Sequence, residues 1–352
     1  MPRVISLFSG GLDSLLTACL LRDLGCQVEA LNIKTPFCST EEAAGRLAAK
    51  LGLEFRVHTV GEDYYELVKR PRYGFGKAVN PCIDCKIHFC QIAKRRMEET
   101  GAVCVATGEV LGQRPMSQQR AQLECIAKQS GLGDRLLRPL SAQWLRATAV
   151  EREGLIDREK LLALKGRGRR RQLDLAGKYG LGKLPSPSGG CALTETSFAP
   201  RVFDLIRALP DAGGWDFELL RCGRYFRIDH STVAIVGKNA VHAEMLRGLF
   251  RSPQARNCAM IEPSDYRGPT VLVVGALTDE NLGTGAGLVL RFGRPEESPS
   301  GQATVEVSRD GEMHEIMATI TERAESLRML TRDDLARLRP TPQVEPAEND
   351  RS

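Results

Sequence analysis

The sequence predicts an α/β protein, a doubly wound parallel sheet followed by a second, smaller α+β domain. Three observations carry that expectation. The first half alternates short apolar runs with helical segments. The first run, Val4 to Phe8, opens directly into Ser9-Gly10-Gly11-Leu12-Asp13-Ser14 and a helical stretch. Past Pro200 the pattern changes to brief β-like runs separated by turn residues. A chain of 352 residues fits two domains, placed at 1–199 and 200–332, with a polar, proline-containing tail at 333–352 expected to be disordered.

In order, Val4 to Phe8 reads as a strand, Leu15 to Leu24 as a helix, Val28 to Ile33 as a strand, the alanine-rich Glu41 to Leu51 as a helix and Glu54 to Thr59 as a third strand. Lys86 to Thr100 reads as a helix, Ala102 to Thr107 as a strand and Met116 to Ser130 as a helix. The charged stretch Ala142 to Tyr179 reads as helical, and Pro185 to Cys191 as a turn-rich return. In the second domain Phe217 to Leu220, Gly223 to Ile228, Val233 to Val236, Ala259 to Ile261 and Val271 to Val274 read as strands, with a helix at Ala240 to Phe250 and a hairpin turning at Asp310-Gly311. Ligands of parallel sheets bind beyond the carboxyl ends of the strands, so Ser9 to Ser14, residues 32 to 38 and Gly108-Glu109 should share one crevice.

Composition narrows the setting. There is no run of 18 apolar residues and no secretory leader, so the expectation is a cytoplasmic protein that does not engage a membrane. Eleven cysteines, most of them single and in apolar surroundings, argue against a disulfide framework and leave clustered thiols as metal ligands or nucleophiles. The net charge of +5 is mild, but Lys165, Arg167, Arg169, Arg170 and Arg171 concentrate it in a run able to neutralise phosphates of a polyanion; a solvated helix end is the plain alternative.

The turn after the first strand is a phosphate cradle: its glycines let backbone N–H groups face inward and the next helix offers its positive end to an anion. No Gly-Lys-Ser/Thr follows, which excludes a Walker loop. The plain alternative is a glycine-rich turn with Ser14 as helix cap. Ser-Gly-Gly-x-Asp-Ser resembles the signature of the PP-loop ATP pyrophosphatases, of adenine nucleotide alpha hydrolase-like fold. The resemblance implies that Gly10, Gly11, Leu12, Ser9 and Ser14 hold phosphate oxygens and that Asp13 places Mg2+ while ATP is cleaved between its α and β phosphates.

Asn80-Pro81-Cys82-Ile83-Asp84-Cys85 puts two thiols at the approach to a helix, where the dipole favours thiolate, and Cys191 follows Gly189-Gly190. For Cys82 and Cys85 alone, zinc completed by His88 or Cys90 and a redox dithiol stay open. Pro-Cys-x-x-Cys with a distant Gly-Gly-Cys is similar to iron–sulfur-dependent tRNA thiolation enzymes of the PP-loop class. That resemblance implies that Cys82, Cys85 and Cys191 hold a [4Fe–4S] cluster with one iron open to hydrosulfide. A cluster-free version would place a persulfide on Cys85 or Cys191, with the other as resolving thiol. Asp84 reads as a general acid or base, or as a helix cap.

The stretch Ala106 to Gln118 with Leu137 to Leu140 resembles the second ATP-facing loop of thiouridine synthases. It implies that Gly108 and Glu109 order Mg2+ or the adenylate, that Arg114 and Arg138 offset phosphate charge, and that the backbone of Ile33 pairs with adenine. Residues 200 to 340 resemble an NFACT-R-type RNA-binding module, with Arg224, Arg227 and Lys238 on phosphates and Tyr225 or Phe226 stacking on a base; strand alternation, aromatics in and arginines out, is the alternative. The first strand begins at residue 4, where many 4-thiouridine synthases carry a preceding RNA-binding domain, so RNA is expected on the second domain and the arginine run. Together these resemblances imply an ATP-dependent tRNA sulfurtransferase that adenylates a uridine carbonyl and replaces its oxygen with sulfur. Its partners would be tRNA and a sulfur donor, sulfide or a persulfide carrier, with homodimer formation left open. The rival readings are a PP-loop enzyme adenylating a small molecule, and a nucleotide-responsive RNA-binding protein with a structural metal.

Overall fold

The computed structural model describes residues 1–182, 190–264, 266–293 and 301–340. The chain divides into two compact units, Met1–Thr194 and Glu195–Ser352. Among the described residues no helix is long and apolar enough to cross a membrane.

In the first unit the elements run β1 (Arg3–Leu7), α1 (Leu12–Asp23), β2 (Gln27–Lys34), α2 (Glu41–Lys50), β3 (Glu54–Thr59), α3 (Glu62–Lys69), α4 (Cys82–Thr100), β4 (Cys104–Ala106), α5 (Arg120–Gln129), β5 (Leu136–Leu137), α6 (Ala149–Arg152) and α7 (Arg170–Lys178). The strands form one parallel sheet in the order β3-β2-β1-β4-β5. The alternation of side chains along β1 explains the double winding. Val4 enters an apolar cluster with Leu15, Ala18 and Leu21 of α1, whereas Ile5 enters another with Ile83, Ile92 and Met97 of α4 and Ile126 of α5. The order reverses at β1, so the topological switch point lies beside the loop that follows it.

The second unit runs α8 (Ala199–Ala208), α9 (Gly214–Leu219), β6 (Arg224–Arg227), β7 (Val233–Val236), α10 (Ala240–Phe250), β8 (Cys258–Pro263), β9 (Val271–Val274), α11 (Asp279–Phe292), β10 (Gln302–Arg309), β11 (Glu312–Thr319), α12 (Glu322–Ser326) and α13 (Leu335–Leu338). Its six strands pair antiparallel in the order β11-β10-β8-β9-β7-β6. The turn between β10 and β11 falls at Asp310-Gly311, both with positive φ.

Several expectations fail for physical reasons. Residues 142–179 are not one helix. Gly154 and Gly166 take positive φ, and the stretch breaks into short turns, α6 and α7. Phe217 to Leu220 is not a strand; Trp215, Phe217 and Leu219 are buried from the short helix α9. The helix expected from Met116 begins only at Arg120. The tail expected from Asp333 is structured to residue 340, since Asp334 accepts from Arg328 and Arg337 and α13 packs on α8. Pro185 to Gly189 and residues 341–352 lie outside the described residues. Helices α3, α8 and α11 were not anticipated.

Candidate active site

The loop after β1 reaches α1 through Gly10, whose φ of 72° suits glycine, and whose missing Cβ would stand 3.0 Å from the Cα of Ala44 on α2. Gly11 is the residue preceding the helix, and no side chain caps the helix there. Ser14 is not the cap: its hydroxyl donates back to the Gly11 carbonyl at 2.8 Å, and Ser9 Oγ lies 3.4 Å from Ser14 Oγ. The first-turn N–H groups of α1 therefore lack a side-chain acceptor, as an anion site requires.

This loop borders a cavity of about 340 Å3 beyond the carboxyl ends of β1, β2 and β4. Ser9, Gly11, Leu12, Asp13 and Ser14 line it from one side, and Ile33 at the end of β2, Gly108, Glu109 and Arg114 also face it. Gly108 permits a close approach. A Cβ there would fall 2.7 Å from the carbonyl carbon of Asp13 and 2.8 Å from the amide nitrogen of Ser14. Asp13 Oδ2 accepts from Gln113 Nε2 at 3.0 Å, and Gln172 also favours its charged form, while among the described residues no donor lies within hydrogen-bond distance of its buried Oδ1. Burial pushes the Asp13 carboxyl up, opposed by Gln113 and by the charges of Arg169 and Arg114. An orphaned carboxylate oxygen beside a phosphate loop suits Mg2+.

Cys82, Cys85 and Cys191 line the same cavity. α4 starts at Cys82, earlier than expected, so Cys82 and Cys85 stand one turn apart on one face. Asn80 Nδ2 points at Cys82 Sγ at 3.0 Å, and Cys85 Sγ lies 3.7 Å from the hydroxyl of buried Tyr64. The expectation of a dipole-favoured thiolate fails for Cys85, which burial pushes well up; burial also pushes Cys191 up to about 12, and each of the two thiols also feels other cysteines. As placed, no three Cys, His, Asp or Glu side chains among the described residues have metal-binding geometry. The donor set nevertheless fits a thiophilic metal, three soft sulfurs facing one space.

Four expected roles are corrected by the contacts. Asp84 does not face this cavity; its carboxylate accepts the backbone N–H groups of Arg72 and Tyr73 at 2.9 and 3.2 Å and lines a separate cavity with His88. His88 and Cys90 are likewise buried away from Cys82 and do not border the thiol cavity, so neither completes a zinc site there. Glu109 is not a free magnesium ligand. Lys86 Nζ at 2.6 Å, Arg138 Nε at 2.9 Å and Thr107 Oγ1 at 3.1 Å occupy both its oxygens. Burial alone would raise the Glu109 carboxyl, but Lys86 and Arg138 outweigh it and hold it down to about 2. Arg138 itself is buried, also donating to the Leu123 carbonyl at 2.9 Å, and does not line the cavity.

Lys86 and Gln113 carry no role in the sequence reading, and Cys38 enters it only as part of the 32–38 segment expected at the crevice. Lys86 was counted only as a helix start, although it follows Cys85 directly. Gln113 lies inside the Gly112-Gln113-Arg114 turn. Cys38, a fourth thiol on the cavity, sits on the loop after β2, and its neighbour Phe37 accepts the Ala192 N–H at 2.9 Å, joining the Cys38 and Cys191 loops.

In the second unit Tyr225 and Phe226 are 3% and 1% exposed, which removes them as stacking platforms. Tyr225 donates its hydroxyl to Asp204 at 2.8 Å. Arg227 donates to the Asp204 carboxylate at 2.9 Å, to its carbonyl at 2.6 Å and to the His230 carbonyl at 2.7 Å, so it is a structural cation rather than a phosphate contact. Arg224 lies 4.8 Å over the ring of Phe292. Lys238 is exposed just before α10. In the first unit Arg167, Arg170 and Arg171 are exposed, and half-buried Arg169 adds positive field at Asp13.

A parallel sheet turned at its first strand, a glycine loop feeding a bare helix end and a cavity over the switch point make a doubly wound α/β unit with its cavity where such sheets bind ligands. Residues 1–143 match the family described as thiamine biosynthesis protein (ThiI), and residues 223–329 match the family described as NFACT protein RNA binding domain. A probable tRNA sulfurtransferase of Methanothermobacter thermautotrophicus is 34% identical over 32% of this chain and 30% of its own length. A tRNA-specific 2-thiouridylase MnmA of Geobacter metallireducens is 29% identical over 30% of this chain and 34% of its own. The chain thus spans about a third of the curated relatives it matches. A solved 4-thiouridine synthetase–RNA complex with bound ATP aligns over 51% of this chain and 52% of its own at 20% identity, with a TM-score of 0.33, a likeness too slight to carry weight.

Proposed function

We propose that this protein is an ATP-dependent tRNA sulfurtransferase that adenylates a uridine carbonyl oxygen and replaces that oxygen with sulfur. The observation that carries the reading is the shared cavity: the phosphate loop Ser9 to Ser14 and the thiols Cys82, Cys85 and Cys191 face one space. The family matches support it from both ends of the chain, one to a thiamine biosynthesis family, the other to an RNA-binding domain.

On this reading the N–H groups of the loop and the Ser9 and Ser14 hydroxyls hold the pyrophosphate of ATP, and Asp13 Oδ1 accepts Mg2+. The backbone at Ile33 receives adenine. Arg114, exposed on the cavity wall, offsets charge as pyrophosphate leaves. Adenylation makes the uridine oxygen part of AMP, a good leaving group for attack by sulfur at C2 or C4. Cys82, Cys85 and Cys191 would hold a [4Fe–4S] cluster, which would supply iron to bind hydrosulfide. Burial disfavours free thiolate at Cys85 and Cys191, so a metal bound there would displace their protons. Sulfur arrives from sulfide or a persulfide carrier. The arginine run and Lys238 contribute to holding tRNA.

The test is anaerobic reconstitution with iron and sulfide, then incubation with ATP and unmodified tRNA and chromatographic analysis of the nucleosides. The expected product is 2-thio- or 4-thiouridine, lost in Cys82→Ala, Cys85→Ala and Cys191→Ala. Absence of any thionucleoside from the wild-type reaction refutes the reading.

A further inference from the structure

Lys86 is the cation in the cavity whose position is fixed. It follows Cys85 directly, just past the first turn of α4, and it lines the same space as the phosphate loop. Its Nζ sits 2.6 Å from Glu109 Oε1, and Glu109 is its only partner among the described residues. An ammonium carries three N–H donors, so two remain uncommitted. Glu109 is 4% exposed, and its other oxygen is held by Arg138, itself 6% exposed. The cluster Lys86, Glu109 and Arg138 therefore carries one surplus positive charge, and Lys86 is its member on the cavity wall.

The surplus has a place in the chemistry. If pyrophosphate rests on Ser9 to Ser14 and sulfur is delivered at the thiols, the α-phosphate and the uridine oxygen react between them. Lys86 stands next to a thiol and faces the phosphates' cavity. Arg114 also lines the space, but it is exposed and forms no ion pair among the described residues, so nothing orients it in advance. A cation anchored before substrate arrives costs no reorganisation when charge develops.

We infer that Lys86 is a catalytic residue that donates to the α-phosphate oxygens during adenylation and to departing AMP, with Glu109 as the buried anchor that aims it. This rests on the proposed thiolation reading and adds to it the group that meets the reacting phosphate. The chemistry it selects is a nucleoside triphosphate attacked at its α-phosphorus.

The test measures tRNA-dependent pyrophosphate release by the full chain carrying Lys86→Met or Lys86→Arg, with kcat and the ATP KM determined separately. Methionine keeps the stem and removes the charge. Expected is a fall in kcat of about a hundredfold for Lys86→Met with the ATP KM within about threefold, and recovery of at least about a tenth of wild-type kcat in Lys86→Arg. A Lys86→Met kcat within about threefold of wild type overturns the inference. So does a variant whose ATP affinity and melting temperature fall together while arginine gives no rescue, because a structural role alone produces that pattern. A wild-type protein releasing no pyrophosphate with tRNA removes the thiolation reading and this role with it, a result distinct from an active wild type matched by its variant.

Discussion

Glu109 shows how much a single buried carboxylate decides. Its two cations hold it at about 2, below the ordinary 4.5, so its contribution to stability is complete above about pH 4.5 and is lost as pH falls toward 2. Glu109→Gln leaves Lys86 and Arg138 uncompensated and should cost about 3 to 5 kcal/mol. Urea unfolding of both proteins should show a gap that is constant from pH 6 to 8 and closes in acid. Gly108→Ala should act differently, forcing a methyl against the Asp13 carbonyl and slowing adenylation. Pyrophosphate release by a variant of unchanged helix content checks it. The sequence made the importance of Gly108 and Glu109 legible through their place after a strand. It did not reveal that Glu109 was already paired, because its partners lie 23 and 29 positions away. Arg227 was misread for the same reason: the charge that claims it, Asp204, sits on a helix the pattern did not disclose.

At the scale of elements, periodicity served the parallel sheet well. Strands β1 to β3 and helix α10 lie within a residue or so of where alternation and capping placed them. Helix α11 stayed hidden because Gly283, Gly285 and Gly287 dilute its helical signature. Two of those glycines are packing surfaces. A Cβ on Gly285 would meet Val273 at 2.6 Å and Ile261 at 2.8 Å, and one on Gly287 would meet Ala324 of α12 at 2.7 Å, so the helix lies close on its sheet at the first and on α12 at the second. Gly285→Ala should raise helix propensity and still destabilise the second unit, by about 1 to 3 kcal/mol, since overpacking outweighs propensity. Thermal unfolding followed by circular dichroism checks the sign. The thiol pair had the opposite history. Its spacing was plain in the sequence, but the helix start at Cys82 that puts both sulfurs on one face was not.

Across the whole molecule, the sequence shows where basic residues cluster but not which of them are already paired. A net charge of +5 does not distinguish Arg227, consumed internally, from Arg167, Arg170 and Arg171, which stand in solvent. Replacing those three with alanine should weaken tRNA binding and lower the slope of log affinity against log salt by about 2 to 3. Lys238→Ala should lower it by about 1, and Arg227→Ala should leave it unchanged while destabilising the fold. Fluorescence anisotropy at several salt concentrations separates these cases.

The meeting of the Cys38, Cys82-Cys85 and Cys191 loops has a bearing on biogenesis. These sulfurs come from stretches separated by most of the first unit, and the last is tied to the first by one amide, Ala192 to the Phe37 carbonyl. Such distant segments meet only after the intervening strands have paired, so the chain emerging from the ribosome has no competent thiol pocket until nearly all of this unit has been synthesised. On the proposed thiolation reading, a metal held by these sulfurs would be acquired only late in maturation, and an unfinished or misassembled chain would be denied it.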